Sequence, residues 1–322
     1  MGGGHYDREA HEEATTTRAA LPVERVFTQT KLHKDMNPFG VTVRESRDSA
    51  AHPNSIGIMF FLDETGSMGH IPPFLARDKK GLASFMGMLI DGAFVEDPQV
   101  FFGAIGDAVQ QNREESPLQV GQFESEAHLM DKWLTAIHLE KDGGGNNGES
   151  YDMAFYFAAR HTAMDCWEKR GRKGYLFITG DEPPLRCVNA QAVRDRCGDD
   201  LRKDIPVGDI IEEASKTFHA FYLIPDQQRA MRCERPWRDK MGDHVIVLET
   251  HEDTSAVAAT LIGLTEGTLA DLDAVGATLK RIGLESGQIN RIIRTVEAYA
   301  ASIGRGGEGR PVEGGAKKRG RK

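Results

Sequence analysis

The first unbroken apolar run of the chain is Ile56-Gly57-Ile58-Met59-Phe60-Phe61-Leu62. A short run with no polar alternation predicts a β-strand buried on both faces, as in the interior of a parallel sheet. A polar, glycine-containing turn follows, and then Leu82, Phe85, Met86, Leu89 and Ile90 recur at helical spacing. Val100-Phe101-Phe102-Gly103-Ala104-Ile105 predicts a second strand, and Leu118 to Phe123 a third beside it. One helix is expected from Glu126 to His138. Another, carrying Met153, Ala154, Phe157 and Ala158, follows a glycine-rich loop, Gly143-Gly144-Gly145-Asn146-Asn147-Gly148. Tyr175-Leu176-Phe177-Ile178-Thr179, Phe218 to Ile224 and Val245 to Leu248 read as further strands. Strands alternating with helices at this spacing build βαβ units. The predicted fold class is therefore α/β: a doubly wound, mostly parallel central sheet with helices on both faces.

After Glu249 the pattern is only helical. Ala256 to Leu279 has apolar residues at helical spacing, interrupted by Gly263, Gly267 and Gly276, and Ile289, Ile292, Ile293, Val296 and Tyr299 form a second stripe. The chain thus divides into a sheet domain over 55–250 and a helical C-terminal extension over 251–303 packed on it. Residues 1–20 show no periodicity and are expected to be disordered. Residues 21–54 read as an N-terminal hairpin or clasp. Val26-Phe27-Thr28 and Val41-Thr42-Val43 would be its strands, around a turn at Asn37-Pro38-Phe39-Gly40. From 304 to 322 the chain is glycine-rich and basic, and is expected to be a disordered tail.

Composition narrows the function classes. With 39% hydrophobic and 28% charged residues, the 322-residue chain has the material for a sizeable core. No apolar run approaches the ~18–20 residues that span a bilayer, and Met1 to Ala20 lacks the apolar stretch of a secretory signal. Four cysteines do not make a disulfide scaffold, so a reducing cytoplasm is the expected setting and no membrane partner is expected. The cysteines are Cys166, Cys187, Cys197 and Cys233, none in a Cys-x-x-Cys pair, and are expected to be reduced structural thiols. The net charge of -9 argues against a whole-surface nucleic-acid binder. Residues 305–322, however, carry seven basic and two acidic groups, a net +5 that leaves -14 on the remainder. Lys317-Lys318-Arg319-Gly320-Arg321-Lys322 can contact nucleic acid or another acidic surface, or serve only as a solubilising tail.

Ligand sites of open α/β sheets lie at the carboxyl ends of the strands. Two predicted strands end beside an aspartate there. Leu62 is followed by Asp63-Glu64-Thr65-Gly66-Ser67, and Thr179 by Gly180-Asp181-Glu182-Pro183-Pro184. Glu149-Ser150 opens the helix after the glycine-rich loop. In a parallel sheet these loops can share one edge. Carboxylates with hydroxyls make a hard oxygen site, suited to Mg²⁺ or Mn²⁺. The alternation Asp63, Thr65, Ser67 can bring three side-chain oxygens to one side of an extended loop, while Gly66 lets the backbone turn closely. Taken singly, Asp63 and Asp181 also fit a helix N-cap or a turn; it is the three loops together that point to a metal. Glu64 and Glu182 are expected at a solvated rim, or else as an acidic rim selecting a basic partner surface.

Asp63-Glu64-Thr65-Gly66-Ser67 after the first core strand resembles the Asp-x-Ser/Thr-x-Ser motif of the von Willebrand factor A domain family, with its metal-ion-dependent adhesion site. The resemblance covers residues 55–250. The family's second loop usually supplies a threonine. The sequence here resembles the branch in which a glycine-rich loop precedes glutamate, which carries that role to Glu149, with Ser150 as the alternative. The third position falls on Asp181. The resemblance implies that the two hydroxyl residues ligate Mg²⁺ or Mn²⁺ directly, that the aspartates often act through water, and that a protein partner's carboxylate completes the coordination. It further implies an intracellular adaptor or scaffold, a role that in this family includes complexes with AAA+ ATPases. Two other classes remain open at this point. One is a metal-dependent phosphoesterase on the same scaffold. No histidine or lysine lies in the motifs, and the glycine loop lacks a P-loop ending, so the chain is expected not to be an enzyme. The other is a nucleic-acid-associated scaffold acting through the tail.

Overall fold

A computed structural model of the chain describes residues 6–107, 117–139 and 149–306. The glycine-rich loop 143–148 and the basic stretch 307–322 lie outside the described residues. The strands are β1 (Arg44–Ser46), β2 (Ser55–Asp63), β3 (Asp97–Ile105), β4 (Leu118–Val120), β5 (Thr162–Met164), β6 (Gly174–Thr179), β7 (Cys187–Val188), β8 (Ile205–Pro206), β9 (Phe218–Ile224) and β10 (Val245–Val247). The helices ahead of β6 are α1 (Arg8–Ala19), α2 (Val23–Val26), α3 (Ile71–Arg77), α4 (Phe85–Gly92), α5 (Ala127–Ala136), α6 (Tyr151–Arg160) and α7 (Asp165–Glu168). After it come α8 (Ala190–Arg196), α9 (Val207–Ser215), α10 (Gln227–Met241), α11 (Thr254–Glu266), α12 (Leu272–Arg281) and α13 (Ser286–Ser302).

Six strands form the central sheet in the order β10-β9-β6-β2-β3-β4. All neighbours run parallel except β3 and β4, which are antiparallel. Every residue of β2 is buried, as its apolar run requires at the centre of a parallel sheet. Alternate side chains on β2 face opposite helical layers. Phe60 stacks on Phe177 with centroids 5.6 Å apart, Phe177 on Phe221 at 5.3 Å, and this row meets Phe85 of α4 and Tyr299 of α13. Phe61, one residue on, faces the other layer through Phe101, which lies 6.2 Å from Phe157 of α6. The observed architecture is the predicted one, a doubly wound, mostly parallel sheet with a helical C-terminal part. The stretch from Ala256 to Leu279 is divided between two helices, α11 and α12. Gly267, at φ 82°, turns the chain at the end of α11, and α12 starts only at Leu272. Among the described residues no helix is long and apolar enough to cross a membrane.

The N-terminal expectations are corrected. Within 1–20, residues 8–19 form helix α1, started by the Asp7 carboxylate accepting from Ala10 N at 3.0 Å. Its inward face is polar: His11, Thr15 and Arg18 are buried, and Arg18 pairs with Asp131 of α5 at 2.8 Å. A search for apolar periodicity cannot see such a face. Residues 21–54 contain no hairpin. Val26 ends α2, and the one strand, β1, lies just past Val41-Thr42-Val43 and pairs parallel with β5. The expected turn does form, with Val41 N donating to Pro38 O at 3.0 Å and Gly40 at φ 76°.

Candidate metal centre

The chain passes from β2 to β3 on one side and later places β6 on the other, so the strand order reverses at β2. The crevice between the carboxyl ends of β2 and β6 is the switch point at which open α/β sheets bind ligands. Asp63 is the last residue of β2, and Asp181 follows β6 by two residues. The two loops meet through a continuous line of oxygens. Thr65 Oγ1 donates to Asp63 Oδ1 at 2.6 Å, and Ser67 Oγ donates to Asp181 Oδ1 at 2.9 Å. Thr65 Oγ1 and Ser67 Oγ lie 3.2 Å apart. Each hydroxyl thus reaches a carboxylate, and across the gap between them either can donate to the other. The two hydroxyl oxygens therefore stand side by side. Oxygens sharing an edge of an octahedron with ~2.0–2.1 Å metal bonds stand ~2.9 Å apart, close to this separation.

Asp63 also acts as a turn residue, because Oδ1 accepts from Thr65 N at 3.0 Å and closes a turn. Oδ2 is engaged by the Tyr151 hydroxyl at 2.5 Å. Asp63 is fully buried, and burial, then the nearby Asp181 charge, pushes its carboxyl up to about 7 against the opposing hydrogen bonds from Thr65 and Tyr151. Glu149 stands just before α6 with 7% exposure. Burial, followed by repulsion from Asp63, Glu182 and Asp181, pushes it up to about 8. Its Oε2 is buried with no hydrogen-bond partner among the described residues. The neighbouring Ser150 is also buried, and its N–H donates to Gly106 O at 3.1 Å. The structure thus brings Asp63, Thr65, Ser67 and Asp181 into one hydrogen-bonded line and sets Glu149 within electrostatic reach of both aspartates. Two carboxylates joined to two hydroxyl oxygens, with a third buried carboxylate oxygen that lacks a donor within electrostatic reach, are a donor set of the kind a hard divalent cation takes. Among the described residues no three His, Cys, Asp or Glu side chains cluster as metal ligands, so Glu149 does not join Asp63 and Asp181 in one carboxylate cluster, and the close oxygens are those of Asp63, Thr65, Ser67 and Asp181.

Glu64 and Glu182 are not a solvated rim. Glu64 is 2% exposed and accepts from Gln119 Nε2 at 3.0 Å. Glu182 is 7% exposed and pairs with Arg232 of α10. Both face inward because main-sheet neighbours and α10 cover them, so neither offers an acidic surface to a partner. All four cysteines are free.

Sequence reasoning missed two residues. Tyr151, the first residue of α6, is fully buried and ties the loops together: besides donating to Asp63, its oxygen accepts from Asp181 N at 3.2 Å and Glu182 N at 3.3 Å. Its ring packs edge-on to Tyr222 and Trp237. The close approach explains Gly180, where a Cβ would lie 2.4 Å from Tyr222 Oη and 2.5 Å from the Tyr151 ring. A hydroxyl adjacent to Glu149-Ser150 was the available signal. The second residue is Arg229, in the first turn of α10, whose Nε donates to Asp181 Oδ2 at 3.1 Å. No sequence pattern marks it.

No protein-family model matches the chain, and no curated protein does. Solved structures similar to it include the pilus adhesin SpaC from Lactobacillus rhamnosus GG in its open conformation (TM-score 0.42, 11% identity over 68% of this chain and 31% of that one). Proximal thread matrix protein 1 from the mussel byssus gives 0.39, with 8% identity over 66% and 46%. A von Willebrand factor type A protein from Catenulispora acidiphila gives 0.38, with 12% identity over 74% and 51%. The chain thus spans about a third to a half of the length of these structures. Likenesses this distant carry no functional argument, and the fold assignment rests on the strand order and packing above.

Proposed function

We propose that the chain is a protein-binding module of the von Willebrand A type, in which Thr65 and Ser67, with Asp63, Asp181 and Glu149, hold Mg²⁺ or Mn²⁺ and dock a carboxylate of a protein partner. The observation that carries this reading is the pair of hydroxyl oxygens 3.2 Å apart at the switch point, each also hydrogen-bonded to one of the two aspartates. When bound, the cation supplies an open coordination position for an incoming oxygen. The chain's own residues do the rest. Asp63 and Asp181 fix the rotamers of the two hydroxyls. Tyr151 holds the first and third loops at one spacing. Burial of Asp63 and Glu149 makes their charge costly until a cation offsets it. The function is binding and not turnover. Among the described residues the cationic side chains paired with carboxylates of these loops are Arg229 and Arg232, and a guanidinium is not a general acid or base. A cytoplasmic adaptor, associated with an AAA+ ATPase, is the finer reading that the sequence resemblance adds.

Isothermal titration of the full chain with Mn²⁺ tests the reading. Wild type gives a saturable single-site isotherm, and Asp63→Ala and Ser67→Ala each lose it. An isotherm that both variants retain places the cation elsewhere and removes the proposal.

A further inference from the structure

Arg229 reaches from α10 across the mouth of the candidate site. Its Nε donates to Asp181 Oδ2 at 3.1 Å, its Nη2 to the Ser67 carbonyl at 3.1 Å and its Nη1 to Asp226 Oδ2 at 2.5 Å. Asp226 is also the N-cap of α10, accepting from Arg229 N at 2.9 Å. The guanidinium is therefore held in place by the helix start and is only 25% exposed. Asp181 divides its two oxygens between partners: Oδ1 takes the Ser67 hydroxyl and Oδ2 takes Arg229. A fixed positive charge thus already draws on the carboxylate that the proposed cation needs. Like charges that share one counter-ion oppose each other, most strongly where both are shielded from water.

We infer that Arg229 sets the affinity of the site: it is a built-in cation that competes with the divalent ion for Asp181 and keeps ion binding weak and reversible. The inference rests on the metal-site reading above. A second role is separable from this one. By bridging the Ser67 carbonyl and Asp181, the same side chain pins the first and third loops together. Pinning and charge make opposite predictions for a neutral replacement.

The test is Mn²⁺ affinity of the full chain, read by electron paramagnetic resonance of the free ion. Arg229→Met keeps most of the stem and removes the charge, and Arg229→Gln keeps a side-chain donor on α10 and removes the charge. Arg229→Lys keeps the charge and loses the planar fork. Either neutral variant, whichever remains folded by circular dichroism, is expected to bind Mn²⁺ about tenfold more tightly than wild type. Arg229→Lys is expected to stay within about threefold of wild type. Neutral variants that bind no more tightly than wild type overturn the inference and leave the metal site standing. If wild type, Arg229→Met and Arg229→Gln all fail to bind Mn²⁺, the metal-site reading falls and the inference falls with it.

Discussion

A carboxyl group surrounded as Asp63 is must ionise without water and against a second carboxylate. Burial and then Asp181 raise it to about 7, and burial and then Asp63 raise Glu149 to about 8. A carboxyl whose value rises on folding takes up protons on folding. Its stabilising contribution is complete below the ordinary carboxylate range and is lost as the pH rises through 7 and 8. In a chelating buffer these groups should therefore lower the thermal midpoint as the pH goes from 7 to 8, above the range in which His219, His244 and His251, held down by burial, act the other way. Asp63→Asn should flatten part of that slope and raise the midpoint at pH 8, while abolishing Mn²⁺ binding. The remaining slope has identified sources. Glu149 is one, Asp152 is another, a fully buried carboxyl in α6 that burial raises to about 7 and whose Oδ1 has no partner among the described residues, and burial also raises Glu124 and Glu182. Scanning calorimetry across pH checks this, and a midpoint that rises over that pH range in wild type would contradict it. Tyr151 is read the same way. Tyr151→Phe removes the donor to Asp63 and the acceptor for two backbone N–H groups. It should cost about 1–3 kcal/mol in urea unfolding, a cost that a neutral stability would refute.

The elements differ in how far their sequences disclose them. β2, β3, β6 and β9 are near-continuous apolar runs, and burial on both faces of a parallel sheet is the physical reason such runs exist. Helix α1 is hidden for the opposite reason. It docks through His11, Thr15 and Arg18, so its inward face carries no hydrophobic stripe. The contact it makes is specific: Arg18 Nη1 to Asp131 at 2.8 Å, with both side chains largely buried. Arg18→Ala strands the Asp131 carboxylate and should cost about 1–3 kcal/mol. Urea denaturation of this variant checks the docking of α1, and an unchanged stability would contradict it. β1 was invisible for a third reason. It is three residues long, and its partner β5 lies more than a hundred residues away in the chain.

Across the whole molecule, function depends on topology that no local pattern encodes. The motif around Asp63 was legible because spacing within one loop is a sequence property. Asp181 was legible as a polar residue at a strand end. What the sequence could not show is that β6, and not another strand, lies beside β2, so that these two loops converge. Nor could it show that Tyr151 and Arg229 close the site from two helices, since long-range contacts leave no periodic trace. Glu64 and Glu182 were misplaced for the same reason, because α10 and Gln119 cover them from elements distant in the chain. The central claim is that two hydroxyls and their carboxylates form a cation site at this edge. Anomalous diffraction at the manganese edge, from crystals of the full chain grown with Mn²⁺, tests it most directly. The account predicts one strong peak about 2.0–2.2 Å from both Thr65 Oγ1 and Ser67 Oγ. A map with no peak there, or with the ion held elsewhere on the surface, would contradict it.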